Sequence, residues 1–278
     1  QEKGIPVALG GGDMLGIAQT GTGKTATFAI PILQHLLADR SKENCLETQG
    51  NKGHLVKRRA IKALILTPTR ELAIQIGENI TDYGKYTGIK YAIIFGGVKQ
   101  GPQTDQLQAG VDILVATPGR LLDLIRQGYV NLSSITHFVL DEADRMLDMG
   151  FFDDIMQIVN KLPKDRQTIL FSATMPPKIR QLAQNVLRDP VEINVAVSKP
   201  NEAIMQAAYI CHENQKMGII EELFSKPVLH KTLIFASSKQ KVKDLAFTLK
   251  RKKFNVAAMH SDLEQSERES VMMDFKNN

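Results

Sequence analysis

An α/β fold built on a doubly wound parallel sheet, followed by the start of a second unit of the same class, is predicted by three observations along the 278 residues. Short apolar runs recur, each trailed by a stretch of helical periodicity, the pattern of strands buried on both faces and joined by helices. A glycine-rich loop opens a helix directly after one such run, and a cluster of carboxylates closes another. Both features belong at the carboxyl ends of parallel strands, where folds of this class hold their ligands.

Ala63–Thr67, Tyr91–Phe95, Ile113–Ala116, His137–Leu140 and Thr168–Phe171 are the clearest strands. Met14–Ile17 is a further apolar run, and Val191–Val197 reads as a last strand. Glu71–Tyr86, through Leu72, Ile76, Ile80 and Tyr83, and Ile155–Leu162 repeat at helix spacing, which makes the connections βαβ crossovers. Pro31 falls within the apolar pattern Phe28, Ile32, Leu36, so a kink is expected there. Ser41–Arg59 is polar, carries Gly50 and Gly53 and ends in Lys57-Arg58-Arg59. It reads as a surface loop whose basic end is a solvated charge run before it is a nucleic-acid contact.

Ser198-Lys199-Pro200-Asn201-Glu202 has linker composition, and βα alternation resumes near Met205. Residues 1–197 are therefore expected to form one domain, 198–204 a linker and 205–278 part of another. In that second part Met205–Ile210, Thr232–Ala236 and Asn255–Met259 are the expected strands, with a helix through Val242, Leu245, Ala246 and Leu249. Lys250-Arg251-Lys252-Lys253 closes the helix, where cations suit its dipole as well as they would suit RNA.

Composition narrows the classes. Hydrophobic residues at 43% and charged ones at 23% describe an ordinary globular chain. A net charge of +5 and a pI near 9.1 favour polyanionic partners only mildly. Cys45 and Cys211 offer neither a disulfide framework nor a zinc spacing, which points to a reducing cytoplasm and no structural metal. Gln1–Gly12 lacks the pattern of a signal peptide, and no apolar run reaches the roughly 18 residues of a membrane span. A monomer without membrane attachment is expected. The absent initial Met and the ending at Lys276-Asn277-Asn278 suggest a fragment cut at both ends.

Ala18-Gln19-Thr20-Gly21-Thr22-Gly23-Lys24-Thr25 carries the first piece of chemistry. Its glycines let backbone N–H groups turn toward phosphate oxygens, and the helix that follows adds a positive dipole. Lys24 is placed to reach the outer phosphates of ATP, and Thr25 to ligate Mg²⁺. Ala18 stands where the general pattern has Gly. Phe138-Val139-Leu140-Asp141-Glu142-Ala143-Asp144 carries the second, with carboxylates at the end of a buried strand. Asp141 suits the metal and Glu142 the attacking water, the requirements of phosphoryl transfer. Without the phosphate loop the same run would read as a solvated helix start.

Asp141-Glu142-Ala143-Asp144 resembles the motif that names the DEAD-box helicases. Pro68-Thr69-Arg70-Glu71-Leu72-Ala73, Gly96-Gly97, Thr117-Pro118-Gly119-Arg120 and Ser172-Ala173-Thr174 are similar to that family's other motifs, in its order. In the second part, Ala258-Met259-His260-Ser261-Asp262-Leu263-Glu264-Gln265-Ser266 is most similar to the bacterial helicase E type. The resemblance implies a RecA-like P-loop NTPase lobe followed by a truncated second RecA-like lobe. It implies ATP and Mg²⁺ as cofactors and RNA as the partner, held without base reading.

Position by position, the resemblance implies that Gln1, ahead of Ile5-Pro6, reads the adenine edge. Pro68, Thr69, Arg70, Gly96, Gly97, Thr117, Pro118, Gly119 and Arg120 would hold the RNA backbone. Amides, hydroxyls and guanidinium forks suit phosphates and give a salt-sensitive grip. Ser172 and Thr174 would couple Asp144 to the closed state of the two lobes. Ser237 and Ser238, in Phe235-Ala236-Ser237-Ser238-Lys239, and Gln265 with Arg268 would be the second lobe's RNA contacts. The family's arginine finger has no counterpart, so weak ATP hydrolysis and no duplex unwinding are expected of this chain alone. Three activities stay open: an RNA-stimulated ATPase that separates short duplexes, an ATP-gated RNA clamp that anchors RNA-processing or ribosome-assembly partners, and a DNA-directed or unrelated P-loop ATPase.

Overall fold

Side-chain alternation along buried strands organises the first part of the chain. The computed structural model describes residues 1–19, 23–47, 59–195, 204–225 and 231–277, divided into the units Gln1–Ser198 and Lys199–Asn278. In the first unit the elements run α1 (Gly4–Leu9), β1 (Met14–Ile17), α2 (Lys24–Glu47), β2 (Ala63–Leu66), α3 (Arg70–Gly84), β3 (Tyr91–Ile94), α4 (Gly101–Gln108) and β4 (Ile113–Ala116). They continue with α5 (Pro118–Arg126), β5 (His137–Leu140), α6 (Ala143–Asp148), α7 (Phe152–Val159), β6 (Gln167–Ser172), α8 (Pro177–Val186) and β7 (Val191–Asn194). Among the described residues the strands form a seven-stranded sheet in the order β3-β4-β2-β5-β6-β1-β7, every pair parallel.

Each central strand is buried along its whole length, as a sheet with helices on both faces requires. Leu64, Leu66, Leu114, Ala116, Phe138 and Leu140 face one core with α5 to α8, while Ala63, Ile65, Ile113, Val115 and Val139 face the other with α1 to α3. Fully burying one such side chain contributes about 1.5–3 kcal/mol, so two continuous faces dominate the stability of this unit.

Two expectations need correction. Ser41–Glu47, read as the beginning of a surface loop, continues α2 as helix. Its residues include no Gly or Pro to stop propagation, and polarity alone does not end a helix. The remainder of that predicted loop, 48–58, lies outside the described residues. Arg59, which ends the basic run, is a structural ligand: it shares the Asp112 carboxylate with Arg40, at 2.8 and 2.6 Å. Pro31 sits inside α2 without ending it.

In the second unit, Met205–Ile210, Thr232–Ala236 and Asn255–Met259 form no strand among the described residues. Apolar runs make strands only where a neighbour takes up their N–H and C=O groups, and here Met205 and Phe235 stand 94% and 90% exposed. The unit consists of a 3₁₀ turn, Glu213–Gln215, and the helices α9 (Lys216–Ser225), α10 (Lys239–Arg251) and α11 (Gln265–Asn277). Ala246 and Leu249 of α10 are buried as its periodicity predicts. In the basic run that closes α10, Arg251 lies over the Phe247 ring and Lys252 pairs with Glu221 at 2.6 Å. Of the predicted linker 198–204 only Ile204 is among the described residues.

A histidine pair ties α1, α2 and β5 together behind the sheet's functional edge. His137 Nε2 lies 2.9 Å from His35 Nδ1, and His35 Nε2 lies 3.1 Å from the Leu9 carbonyl. Burial, and then His35, hold His137 down at about 4, with Asp39 pulling weakly the other way. Because this lies below the ordinary 6.5, the unfolded chain takes up a proton that the folded one refuses. The resulting stability is present above pH 6.5 and lost as pH falls through 4, an effect of about 3 kcal/mol. Chemical denaturation of His137→Gln between pH 7 and 4 is expected to show a flatter acid limb; a limb as steep as the original's would contradict this.

Candidate functional site

The carboxyl edge of the sheet divides into two adjoining halves. One half follows β5, β6 and β1; the other follows β3, β4 and β2.

In the first half, β1 runs through Ala18 into the loop that precedes α2. Thr20, Gly21 and Thr22 lie outside the described residues. Gly23 takes a φ of +77°, open to glycine at little cost, and its carbonyl accepts from Gln1 Nε2 at 3.4 Å. Gln1 is thereby brought to the loop's end. Lys24 is 8% exposed, donates to the Ala18 carbonyl at 3.3 Å and lies 3.8 Å from Asp141 Oδ1. Thr25 is half-buried in the first turn of α2.

Asp141 is 2% exposed, and its Oδ1 accepts from the Glu142 N–H at 3.0 Å. Burial pushes its carboxyl up to about 6; Lys24 opposes the rise, and Glu142 and Asp144 add to it. Glu142 occupies the left-handed region, φ 52° and ψ 50°, at the start of α6. That conformation costs a non-glycine residue about 1–3 kcal/mol and is found mainly at functional turns. It sets the Glu142 carboxylate beside Asp141, with Arg145 Nη1 3.4 Å away.

Asp144 joins the end of β5 to the end of β6 within this half. Its Oδ2 accepts from Ala173 N–H at 3.2 Å, Thr174 N–H at 3.1 Å and Thr174 Oγ1 at 3.0 Å. Ser172 is fully buried and donates to the Thr174 carbonyl at 2.7 Å, while its own carbonyl accepts from Ala18 N–H at 3.0 Å. One carboxylate is thus connected through three residues to the strand that leads into the phosphate loop. Ser172 acts through the turn and not by touching Asp144, and the Ala173 amide takes the contact that residue type alone did not reveal.

In the second half, Pro68 is buried and Thr69 caps α3, accepting from Leu72 N–H at 3.3 Å. Gly97 has a φ of +79°, and its α-carbon is so close to the Arg70 guanidinium that a Cβ would strike it. Thr117 precedes α5, Pro118 opens it, and a Cβ at Gly96 or Gly119 would meet nothing within 4 Å. Arg120 Nη2 donates to the Val98 carbonyl at 3.2 Å, and its buried Nη1 has no hydrogen-bond partner among the described residues. Three motifs far apart in sequence therefore follow three adjacent strands on one rim, with room beside the α-carbons of Gly96 and Gly119 and with two guanidinium groups.

The model of the DEAD/DEAH box helicase family matches residues 1–182, and that of the helicase conserved C-terminal domain matches residues 215–278. The chain belongs to the DEAD/DEAH box helicase family. Among the relatives of this helicase chain, the probable ATP-dependent RNA helicase DDX17 of Mus musculus is 40% identical over 282 residues, covering 99% of this chain and 41% of that protein. The DEAD-box ATP-dependent RNA helicase RhpA of Helicobacter pylori is 39% identical over 279 residues, covering 100% of this chain and 53% of that protein. The chain thus spans about half or less of these curated relatives. The crystal structure of a DEAD box protein from the hyperthermophile Methanococcus jannaschii superposes with a TM-score of 0.59 at 37% identity, over 99% of this chain and 69% of that one. The fold is RecA-like.

The helicase chain's second unit carries its own predicted contacts. Ser237 is exposed, and Ser238 caps α10 by accepting from Lys241 N–H at 3.3 Å. Gln265 is buried on α11, where its Oε1 accepts from Arg268 Nη1 at 3.4 Å and its Nε2 donates to Glu269 at 3.0 Å. Among the described residues there is no group of three His, Cys, Asp or Glu arranged to hold a metal, and no helix long and apolar enough to cross a membrane.

The Asp144 network ties the end of β5 to β6 and, through Ser172, to β1, all within the first half of the edge. In Asp144→Asn an amide oxygen can replace Oδ2, but the negative charge is lost and an NH2 group is set against the Arg145 N–H that Oδ1 accepts at 3.1 Å; charge-assisted bonds are each worth about 1.5–3 kcal/mol. If this network carries the proposed coupling, RNA stimulation of ATP turnover by the full-length protein is expected to fall at least about tenfold with nucleotide affinity within about twofold. Steady-state phosphate release with and without RNA checks this.

Proposed function

We propose that the parent protein is an RNA-stimulated ATPase that remodels short RNA duplexes in the cytoplasm, with ATP and Mg²⁺ held at the first half of the edge and RNA at the second. The observation that carries the reading is the continuity of that edge, on which the Lys24–Asp141 pair and the Arg70–Gly97–Arg120 rim belong to neighbouring strands of one sheet.

The residues present fit a hard cation and a triphosphate. Asp141 is a buried carboxylate raised by its burial, the condition that a divalent ion relieves, and the Thr25 hydroxyl, in the first turn of α2, would complete an all-oxygen donor set. Bound there, Mg²⁺ would neutralise phosphate charge and polarise the transferred phosphoryl group. Lys24 supplies an ammonium for the outer phosphates, already desolvated and held by Ala18. Gln1 brings an amide to the loop, with the donor and acceptor needed to read an adenine edge. Glu142 accepts the proton of the attacking water or orients it, its backbone preset by the left-handed turn. Asp144 passes a change at Glu142 to Ala173 and Thr174. On the RNA half, Thr69, Thr117 and the Gly96, Gly97 and Gly119 amides contact phosphates without reading bases, so grip is independent of sequence and weakened by salt. Of the second unit's own predicted contacts, Ser237 and Arg268 are the candidates for RNA, while Ser238 caps α10 and Gln265 is buried with its amide bonded within α11.

The test is ATP turnover of the full-length protein with and without single-stranded RNA, with DNA of the same sequence in parallel. Stimulation by RNA alone is expected, since 2′-hydroxyls distinguish the two. Turnover indifferent to RNA would overturn the reading.

A further inference from the structure

One buried polar side chain reaches the RNA half of the edge without belonging to any of its motifs. Gln103, on α4, is 7% exposed. Its Oε1 accepts from the Phe95 N–H at 3.1 Å, and its Nε2 donates to the Phe95 carbonyl at 3.1 Å.

The pairing has a topological cause. β3 is an edge strand with β4 on one side only. The Ile94 carbonyl turns toward β4 and accepts from Thr117 N–H at 3.1 Å, and the alternation of the pleat turns the Phe95 groups the other way. A primary amide carries one donor and one acceptor side by side, as a peptide unit does, so Gln103 takes the place of the missing strand. The next residues are Gly96 and Gly97, whose turn is fixed beyond this point by Arg120 on the Val98 carbonyl and by Arg70 against Gly97. α4 itself is anchored outside the turn, where Gln100 Nε2 donates to Gln127 Oε1 at 2.7 Å.

We propose that Gln103 is a positioning residue of the RNA-phosphate cradle: by closing the edge of β3 at Phe95, it fixes the direction in which the Gly96 and Gly97 amides are presented. The inference rests on the reading of this rim as an RNA site. Two glycines in succession leave the backbone free to turn, and a phosphate contact made by amides is only as good as the aim of those amides. A tether immediately before them removes that freedom at a place where no ladder can.

The test titrates the 278-residue chain, Gln103→Met and Gln103→Glu with fluorescein-labelled oligouridylate in the presence of a non-hydrolysable ATP analogue, and measures mant-ATP binding in parallel. Met keeps the volume and makes neither bond; Glu keeps the acceptor, loses the donor and sets a charge against the Phe95 carbonyl. The RNA Kd is expected to rise about tenfold in both variants while the mant-ATP Kd stays within about twofold. Unchanged RNA affinity in variants that still bind mant-ATP would overturn the proposal. So would a parallel loss of both affinities, which would make Gln103 a general support of the fold. Failure of the unaltered chain to bind oligouridylate would remove the RNA reading of the rim, and this proposal with it.

Discussion

Replacing Glu142 by Gln is expected to lower ATP turnover by about 10²–10⁴-fold while leaving nucleotide affinity within about twofold. The separation of the two effects follows from where the side chain sits. Lys24 and Asp141, the groups proposed for the phosphates and the metal, are buried, pair with each other and bond to backbone, Asp141 taking the Glu142 main-chain N–H rather than its side chain. Gln fills the same volume and tolerates the same left-handed backbone, so the turn persists. It cannot take a proton from water, and it loses the ion pair with Arg145. Phosphate release against mant-ATP fluorescence measures both terms. Turnover within tenfold of the original would assign water activation to another group.

Lys24→Ala is expected to reduce nucleotide affinity at least about a hundredfold, as loss of charge-assisted contacts to phosphate implies. It has a second effect independent of ligand. Asp141 already lies near 6 because of burial, with Lys24 as the chief opposing influence. Removing the ammonium leaves a buried carboxylate uncompensated, at a cost of about 3–5 kcal/mol if it stays ionised. The double variant Lys24→Ala with Asp141→Asn separates the two effects: stability should recover and affinity should not. Chemical denaturation and mant-ATP titration of the three variants provide the cycle. Recovery of affinity together with stability would mean that Lys24 serves the fold alone.

The buried strands were readable because a run such as Ala63–Leu66 has no polar position to present to water, and two-sided burial leaves few alternatives. Their limits shifted by a residue or so because pairing, rather than hydrophobicity, ends a strand; Thr67 is fully buried yet lies past β2. The same distinction explains the second unit, where Thr232–Ala236 has strand composition and no neighbour in register among the described residues. At the site, residue type pointed to the groups proposed to act on phosphate. It did not disclose the groups that aim them. The left-handed turn at Glu142, the Ala173 amide on Asp144 and the Gln103 amide on Phe95 depend on backbone direction, and a Glu, an Ala and a Gln give no sign of it in sequence. Arg59 shows the converse, since a basic run that looked solvated includes a cation fixed by Asp112.

If the two halves of the edge work as one device, nucleotide and RNA must alter each other's affinity, and by the same factor in both directions. The most direct measurement is the Kd of the chain for labelled oligouridylate with and without a non-hydrolysable ATP analogue and Mg²⁺. Tightening of at least about fivefold is the expected result. RNA affinity identical in the two conditions would contradict it.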